Sequence, residues 1–132
     1  MNRIALLAAT AAVAALAVTS ASAQAVPDRI KDAGKIIIGT NNNYPPIIFK
    51  DPATNELQGV DIDLGKAIAK QLGVEAEFQE IAFAQMLPSL QTGRIDIVMA
   101  GMSDTPARRE TADFVDYMKS GAQFYTITAL AD

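Results

Sequence analysis

The chain has 132 residues, a formal net charge of −4, and neither cysteine nor histidine. A single domain is the natural expectation at this length. The acidic balance argues against a nucleic-acid-binding protein, because phosphate binding requires a basic surface. The missing residue types exclude disulfides, thiol chemistry, most zinc sites and histidine-dependent triads, so we expect no metal and no cofactor.

The first 25 residues, MNRIALLAATAAVAALAVTSASAQA, have the pattern of a secretory signal peptide. Arg3 precedes an apolar run, and Ala21-Ser22-Ala23 forms a small-x-small cleavage site. The run is shorter than the roughly 20 apolar residues that a membrane-spanning helix needs. We therefore expect residues 1–23 to be cleaved, and a disulfide-free exported protein fits the periplasm.

Strand and helix patterns alternate along the rest of the chain. A short polar helix ends at Gly34, and KIIIGT (35–40) reads as a buried strand. The loop NNNYPP follows, and then IIFK and DPATNELQG predict a strand and a hairpin turn. GVDIDLGKAIAKQLG is typical of a helix with Asp61 and Asp63 in its first turn and Gly73 after its end.

The second half of the chain continues the alternation. VEAEFQE predicts a strand, AQMLPSLQTG a helix with Met86, Leu87 and Leu90 on one face, and RIDIVMAG another strand. A short helix from Thr105 and a last strand near AQFYTITAL complete the pattern. This order predicts an α/β fold with a mostly parallel sheet and helices on both faces.

Two loops follow strand ends where ligands bind in such sheets, residues 41–46 and 100–105. In the second loop, Gly101 permits close backbone approach, and Thr105 favours a helix start, where free amides attract an anion. Arg108 is badly placed for helix stability in that first turn, unless it holds a carboxylate together with the amides. A capped surface helix with solvated arginines explains the pattern equally well, and Arg109 is expected to be solvated.

Two aromatic residues border these loops. Tyr44 lies in the first loop and Phe83 just before the second helix. Taken singly, each is better explained as a core residue, but two aromatics beside an anion site would form the apolar walls of a small-molecule pocket.

In combination, these motifs resemble the periplasmic solute-binding proteins for polar amino acids, of the ABC-transporter type. GTNNNYPPIIF is similar to the first strand and loop of that family, and GVDIDLGKAIAKQLG to its signature helix, although Val60 replaces a larger side chain. IAFAQMLPSLQTGRIDIVMAGMSDTPARRETADFVDY matches the family's aromatic, Leu-Pro helix, Gly-x-x-Asp strand and Thr-x-x-Arg loop in order.

The resemblance implies how a ligand would be held. Its α-carboxylate would meet Arg108 and the amides of Gly101 and Ser103. Its ammonium would meet the Ala100 carbonyl and the Ser103 hydroxyl.

The same resemblance assigns Tyr44 and Phe83 as the flanking aromatics. It places Asn41 where the family commonly has an acid that helps to bind cationic side chains. Asn41 therefore argues against lysine, arginine or ornithine as the ligand.

The resemblance also implies a two-lobed clamshell of which this chain holds the first lobe. Residues 24–122 would form that lobe, and residues 123–132 would begin a truncated hinge strand, with the second lobe and the return segment missing. One lobe leaves much of the ligand facing water, and a small domain buries only about 60–65% of its chain surface. We therefore expect weak binding and poor stability.

The expected function is delivery of a small amino acid to an inner-membrane ABC permease by a monomeric, non-enzymatic protein. Two alternatives remain. One is a clamshell enzyme, such as a dehydratase or a peptidoglycan lyase domain, for which Asp104 is the only carboxylate beside the proposed site. The other is a non-functional gene fragment.

Overall fold

A computed structural model of the protein describes residues 26–121. The predicted signal peptide (1–23) and the predicted last strand and hinge segment (123–132) lie outside this range. The described residues contain no helix with the length and apolar character needed to cross a membrane. In chain order, the elements are α1 (Asp28–Ala33), β1 (Lys35–Thr40), β2 (Asn43–Tyr44), β3 (Ile48–Lys50), β4 (Leu57–Gln58), α2 (Val60–Leu72), β5 (Glu75–Glu80), a 3₁₀ turn (Phe83–Gln85), α3 (Met86–Gln91), β6 (Ile97–Val98) and α4 (Pro106–Arg109).

A parallel three-stranded sheet forms the centre of the fold, in the order β5-β1-β6. The strands β1 and β5 pair along their whole lengths, from Lys35 with Glu75 to Thr40 with Glu80. The β1 strand is the central one because its β-branched run is apolar on both faces, which suits burial between two layers.

Helices cover both faces of this sheet, as the sequence predicted. Ile36 and Ile38 project from β1 into one core cluster, which they share with Ile30 of α1 and Ala69 of α2. Ile37 projects to the opposite face. There it packs against a second cluster, whose buried members are Ile81, Met86, Ile95 and Ala100.

The close approach of α2 to the sheet depends on Gly65. A Cβ atom there would lie 2.9 Å from Cδ1 of Ile38 and 3.0 Å from the ring of Phe78. Both neighbours belong to the sheet, so a larger side chain would push the helix outward.

A small antiparallel sheet, in the order β2-β3-β4, lies beside the start of α2. The hairpin between β3 and β4 was predicted, and the Asp51 carboxylate stabilises its turn by accepting the N–H groups of Ala53 and Thr54 at 2.8 and 3.0 Å. The prediction that NNNYPP is all loop was wrong at two positions. Asn43 and Tyr44 form β2, because they pair with β3 and so satisfy their backbone groups.

The β6 strand is shorter than the RIDIVMAG run suggested. The Asp96 carboxylate accepts the N–H of Ile37 at 2.7 Å, in the place where a ladder carbonyl would otherwise accept it. Arg29 forms an ion pair with the same carboxylate. At the other end, Gly101 adopts a φ of 60°, which ends the extended run and begins the loop.

Candidate ligand-binding site

The two predicted loops lie together at the carboxyl end of the parallel sheet. They approach each other at Gly101 and Tyr44, since a Cβ at Gly101 would lie only 2.7 Å from Cε1 of the Tyr44 ring. Only glycine tolerates both this approach and the positive φ at the position. The close approach that the sequence predicted at Gly101 is made here by the Tyr44 ring, and the approach of a ligand backbone to Gly101 stays a prediction.

The short helix after the second loop begins as predicted, with Thr105 at the N-cap and Pro106 as its first residue. Within the described residues, however, the Thr105 side chain makes no capping hydrogen bond. The α4 helix is also only four residues long, so few peptide dipoles are aligned in it. Attraction of an anion to this loop must therefore come mainly from side-chain charge.

The two neighbouring arginines have different partners. The Nε of Arg109 donates to Oδ1 of Asp104 at 2.7 Å, and its NH2 donates to Oδ2. This bidentate pairing lowers the pKa of Asp104, since the guanidinium favours the ionised carboxyl. The Arg109 side chain is 67% exposed, so it is solvent-facing as expected, but its charge is already matched.

Arg108, in contrast, has no carboxylate partner within residues 26–121. Its NH1 donates to the carbonyl of Ser103 at 2.7 Å, and its guanidinium carbon lies 5.4 Å from the centre of the Phe83 ring. A cation over an aromatic face is attracted to the ring. These contacts orient Arg108 and leave its charge without an acid to neutralise it.

The predicted aromatic walls are too exposed to be core residues. Tyr44 is 42% exposed and Phe83 43% exposed. Tyr44 faces the Gly101 turn, and Phe83 lies under Arg108, so each ring is next to the loop of residues 100–105. The interpretation of either ring as core is therefore wrong.

A cavity of about 480 Å³ opens beside Phe83. Its lining also includes Asn41 and Glu80. Oδ1 of Asn41 is buried there and has no hydrogen-bond partner in the described part of the chain. Glu80 is paired with Lys50 at 2.6 Å and accepts a bond from Asn42 at 2.9 Å, so its charge is largely satisfied.

The remaining two predicted site residues differ in burial. Ala100 is buried in the cluster beneath α3, so only its backbone can face the loop. Ser103 is exposed, and its carbonyl is the group that accepts from Arg108. No group of three or more potential metal-binding acids occurs among residues 26–121.

Sequence reasoning missed the role of Asp61. It was grouped with Asp63 as a first-turn acid, yet Asp63 is exposed, whereas Asp61 has no exposed surface. Its Oδ1 accepts the hydroxyl of Tyr117 at 2.9 Å. The spacing was a signal, because Asp61, Gly65 and Ala69 recur every four residues along the buried face of α2.

Asp61 is fully buried and Tyr117 is 43% exposed, and the environment of the contact changes the ionisation of both groups. Desolvation raises the pKa of Asp61. Desolvation and the neighbouring Asp61 raise the pKa of Tyr117 to about 12. Tyr117 also lines one cavity with Gly101, Met102 and Ser103, so the contact lies beside the loop of residues 100–105.

The sequence and the fold of this chain have counterparts among known proteins. Residues 36–129 match the family model of the bacterial extracellular solute-binding proteins, family 3. The chain belongs to this family. The arginine-binding protein ArgT of Corynebacterium glutamicum is 38% identical over 103 residues, covering 78% of this chain and 34% of that protein. The glutamine-binding protein GlnH of Bacillus subtilis is 40% identical over 96 residues, covering 70% of this chain and 35% of that protein.

Solved structures show the same domain. The arginine-bound form of domain 1 from TmArgBP matches with a TM-score of 0.66 and 36% identity, covering 69% of this chain and 71% of that one. An ancestral cyclohexadienyl dehydratase matches with a TM-score of 0.65 and 39% identity, covering 69% of this chain and 38% of that one. The chain thus spans about a third of the length of the curated relatives named above and corresponds to one lobe of them.

Proposed function

We propose that this protein binds a small amino acid, gripping its α-carboxylate with Arg108 and the backbone of residues 100–103, for delivery to an inner-membrane ABC permease. The observation that carries the proposal is the different pairing of the two arginines. Arg109 is neutralised by Asp104, whereas Arg108 is oriented by Ser103 and Phe83 and has no acid beside it within the described residues. An oriented guanidinium of this kind suits bidentate binding of a carboxylate.

The surrounding groups support an amino acid as the ligand. The Ser103 hydroxyl and the Ala100 carbonyl are groups that can accept hydrogen bonds from an ammonium group. Tyr44 and Phe83 provide two partly exposed aromatic walls. Pockets for small ligands combine such apolar walls with a few placed polar groups.

The side chain of the ligand would enter the cavity lined by Asn41. Asn41 carries no charge, and the Glu80 charge is already matched by Lys50. An uncharged side chain such as a carboxamide therefore suits this lining better than a guanidinium does. We therefore propose glutamine-like ligands ahead of arginine, although relatives of both kinds are known.

Binding by one lobe has support from a relative. The arginine-bound structure of domain 1 from TmArgBP contains a single domain of this type with its amino acid. We therefore propose measurable binding by this chain. It should be weaker than that of a two-lobed protein, because one lobe leaves part of the ligand in water.

A dehydratase function is the second candidate, favoured by the likeness to an ancestral cyclohexadienyl dehydratase. Proton transfer requires an acid whose pKa lies near the working pH. The hydrogen bonds from Arg109 lower the pKa of Asp104 and so move it further from a neutral working pH. Asp104 is therefore a poor proton donor. Asp61, whose pKa is raised, has no exposed surface and is bonded to Tyr117, so it is closed off from a ligand, and we propose binding without catalysis.

The experiment that tests the proposal compares Arg108→Ala with its matched neighbour Arg109→Ala. Calorimetry with L-glutamine and L-arginine should show a loss for Arg108→Ala of about thirtyfold or more, since a buried charge-assisted contact is worth about 2–5 kcal/mol. Arg109→Ala should bind almost as the unchanged protein does. Equal effects of the two substitutions would remove Arg108 from the site.

Export from the cytoplasm is a separate part of the proposal. Arg3, the apolar run and Ala21-Ser22-Ala23 support cleavage near Ala23. N-terminal sequencing of periplasmic protein should begin near Gln24. Recovery of the intact Met1 end from a cytoplasmic fraction would contradict it.

A further inference from the structure

Asp61 lies buried where three parts of the proposed site meet. Its backbone N–H donates to the carbonyl of Ile47 at 3.0 Å, and the N–H of Ile47 donates to the carbonyl of Tyr44 at 2.9 Å. The start of α2 is thereby tied to the turn that carries the Tyr44 ring.

The Asp61 side chain extends this connection to two further segments. Oδ1 accepts the Tyr117 hydroxyl at 2.9 Å, which ties down the segment after α4. Oδ2 is buried without a hydrogen-bond partner among residues 26–121. Tyr117 lines one cavity together with Gly101, Met102 and Ser103, so its bond to Asp61 lies beside the ligand loop.

The chemistry of this position calls for a carboxylate. Burying a charged group is costly unless donors surround it. A residue retained only for packing would be apolar, as are Gly65 and Ala69, its neighbours on the buried face of α2. An ionised carboxyl offers the Tyr117 hydroxyl acceptors only, whereas an asparagine amide can also turn a donor toward it.

The geometry assigns Asp61 as a positioning residue for the amino-acid site, an inference that rests on the proposed function. With Tyr117, it holds the loop of residues 100–103 at a fixed spacing from the Tyr44 ring. This spacing sets the affinity for the ligand, although Asp61 itself touches no ligand.

The test compares Asp61→Asn and Tyr117→Phe with the control Asp63→Asn, which alters an exposed acid in the same helical turn. Calorimetry of the full chain with L-glutamine and L-arginine, at a temperature where every variant is folded, should show both site variants binding about tenfold or more weakly, as expected for loss of a hydrogen bond to a charged group. The control should not change. A purely structural role would lower the unfolding temperature without changing the affinity of the folded molecules, and that result would overturn the inference.

A second measurement separates this inference from the proposed function. The amide proton shift of Gly101, followed by NMR across the acidic pH range, should titrate in the unchanged protein and in Asp63→Asn. It should stop titrating in Asp61→Asn. If the unchanged protein binds neither amino acid, the proposed function fails, while a Gly101 signal indifferent to Asp61 would overturn the positioning role.

Discussion

At the scale of single residues, the site depends on partners that sequence position does not reveal. Arg108 and Arg109 are chemically identical neighbours, and only the fold shows that Asp104 engages one and Phe83 the other. Resemblance to the family pointed to Arg108, but the pattern of residues alone left a solvated surface helix equally acceptable. Asp61 was missed for the same reason, because its partner Tyr117 is 56 positions away.

Gly101→Ala should impair binding by displacing an aromatic wall. The new Cβ would meet the Tyr44 ring at 2.7–2.9 Å and would also be strained by the positive φ. We expect a loss of about 1–3 kcal/mol in stability and a weaker affinity for L-glutamine. The control is Gly121→Ala, where the added Cβ meets nothing within 4 Å. Chemical unfolding and calorimetry of both variants check this, and unchanged binding by Gly101→Ala would contradict it.

The pH dependence of stability should change when Asp61 is replaced. Its pKa is raised in the folded state from an ordinary value of 3.8, so the folded state holds its proton more tightly than the unfolded chain does. The contribution of the protonated Asp61 to the free energy of unfolding is fully present below pH 3.8 and is lost as pH rises through the folded-state pKa. Asp61→Asn has no proton to lose there, so its stability should not show this loss.

The measurement is the difference in unfolding free energy between the unchanged protein and Asp61→Asn, taken by urea titration at several acidic pH values. Taking the difference cancels other acids, such as Asp51 and Glu77, whose pKa values are lowered. As pH rises, the unchanged protein should lose unfolding free energy relative to Asp61→Asn. A constant offset would mean that Asp61 has an ordinary pKa.

At the scale of elements, the sequence predicted those strand and helix bounds that are determined by residues adjacent in the chain. The β1 strand has the predicted bounds, because its β-branched residues favour a strand and the glycine before it and the loop after it end the run. The α2 helix ends as predicted, with Gly73 in the left-handed conformation that suits a glycine. In contrast, β2 depends on pairing with β3, and β6 is shortened by the Asp96 side chain, and neither effect is local.

Packing of α2 on the sheet should be sensitive to a single methyl group. Gly65→Ala places a Cβ within 3.0 Å of Ile38 and the Phe78 ring, so we expect a loss of stability of about 1–3 kcal/mol from overpacking. Lys66→Ala, on the exposed face of the same helix, is the control. Thermal unfolding of both variants checks this, and a Gly65→Ala protein as stable as the control would show that the helix can shift freely.

At the scale of the whole molecule, the sheet brings together loops that are some 60 residues apart in sequence. Strand order explains this, since parallel neighbours end at the same edge. The strand pattern alone therefore predicted that the two loops lie together, whereas their role in binding a ligand stays a prediction. It could not reveal the orientation of Arg108, the exposure of the two aromatic rings or the unpaired Asn41 oxygen, because each depends on side chains from different segments.

The claim that Arg108 and its loop bind an α-carboxylate is tested most directly by removing that carboxylate from the ligand. The chain is titrated by calorimetry with L-glutamine and L-arginine, and then with the decarboxylated amine of each, which keeps the side chain and the nitrogen. We predict that decarboxylation weakens binding by about thirtyfold or more and that Arg108→Ala abolishes the difference. Decarboxylated ligands that bind as tightly as the amino acids would contradict the account.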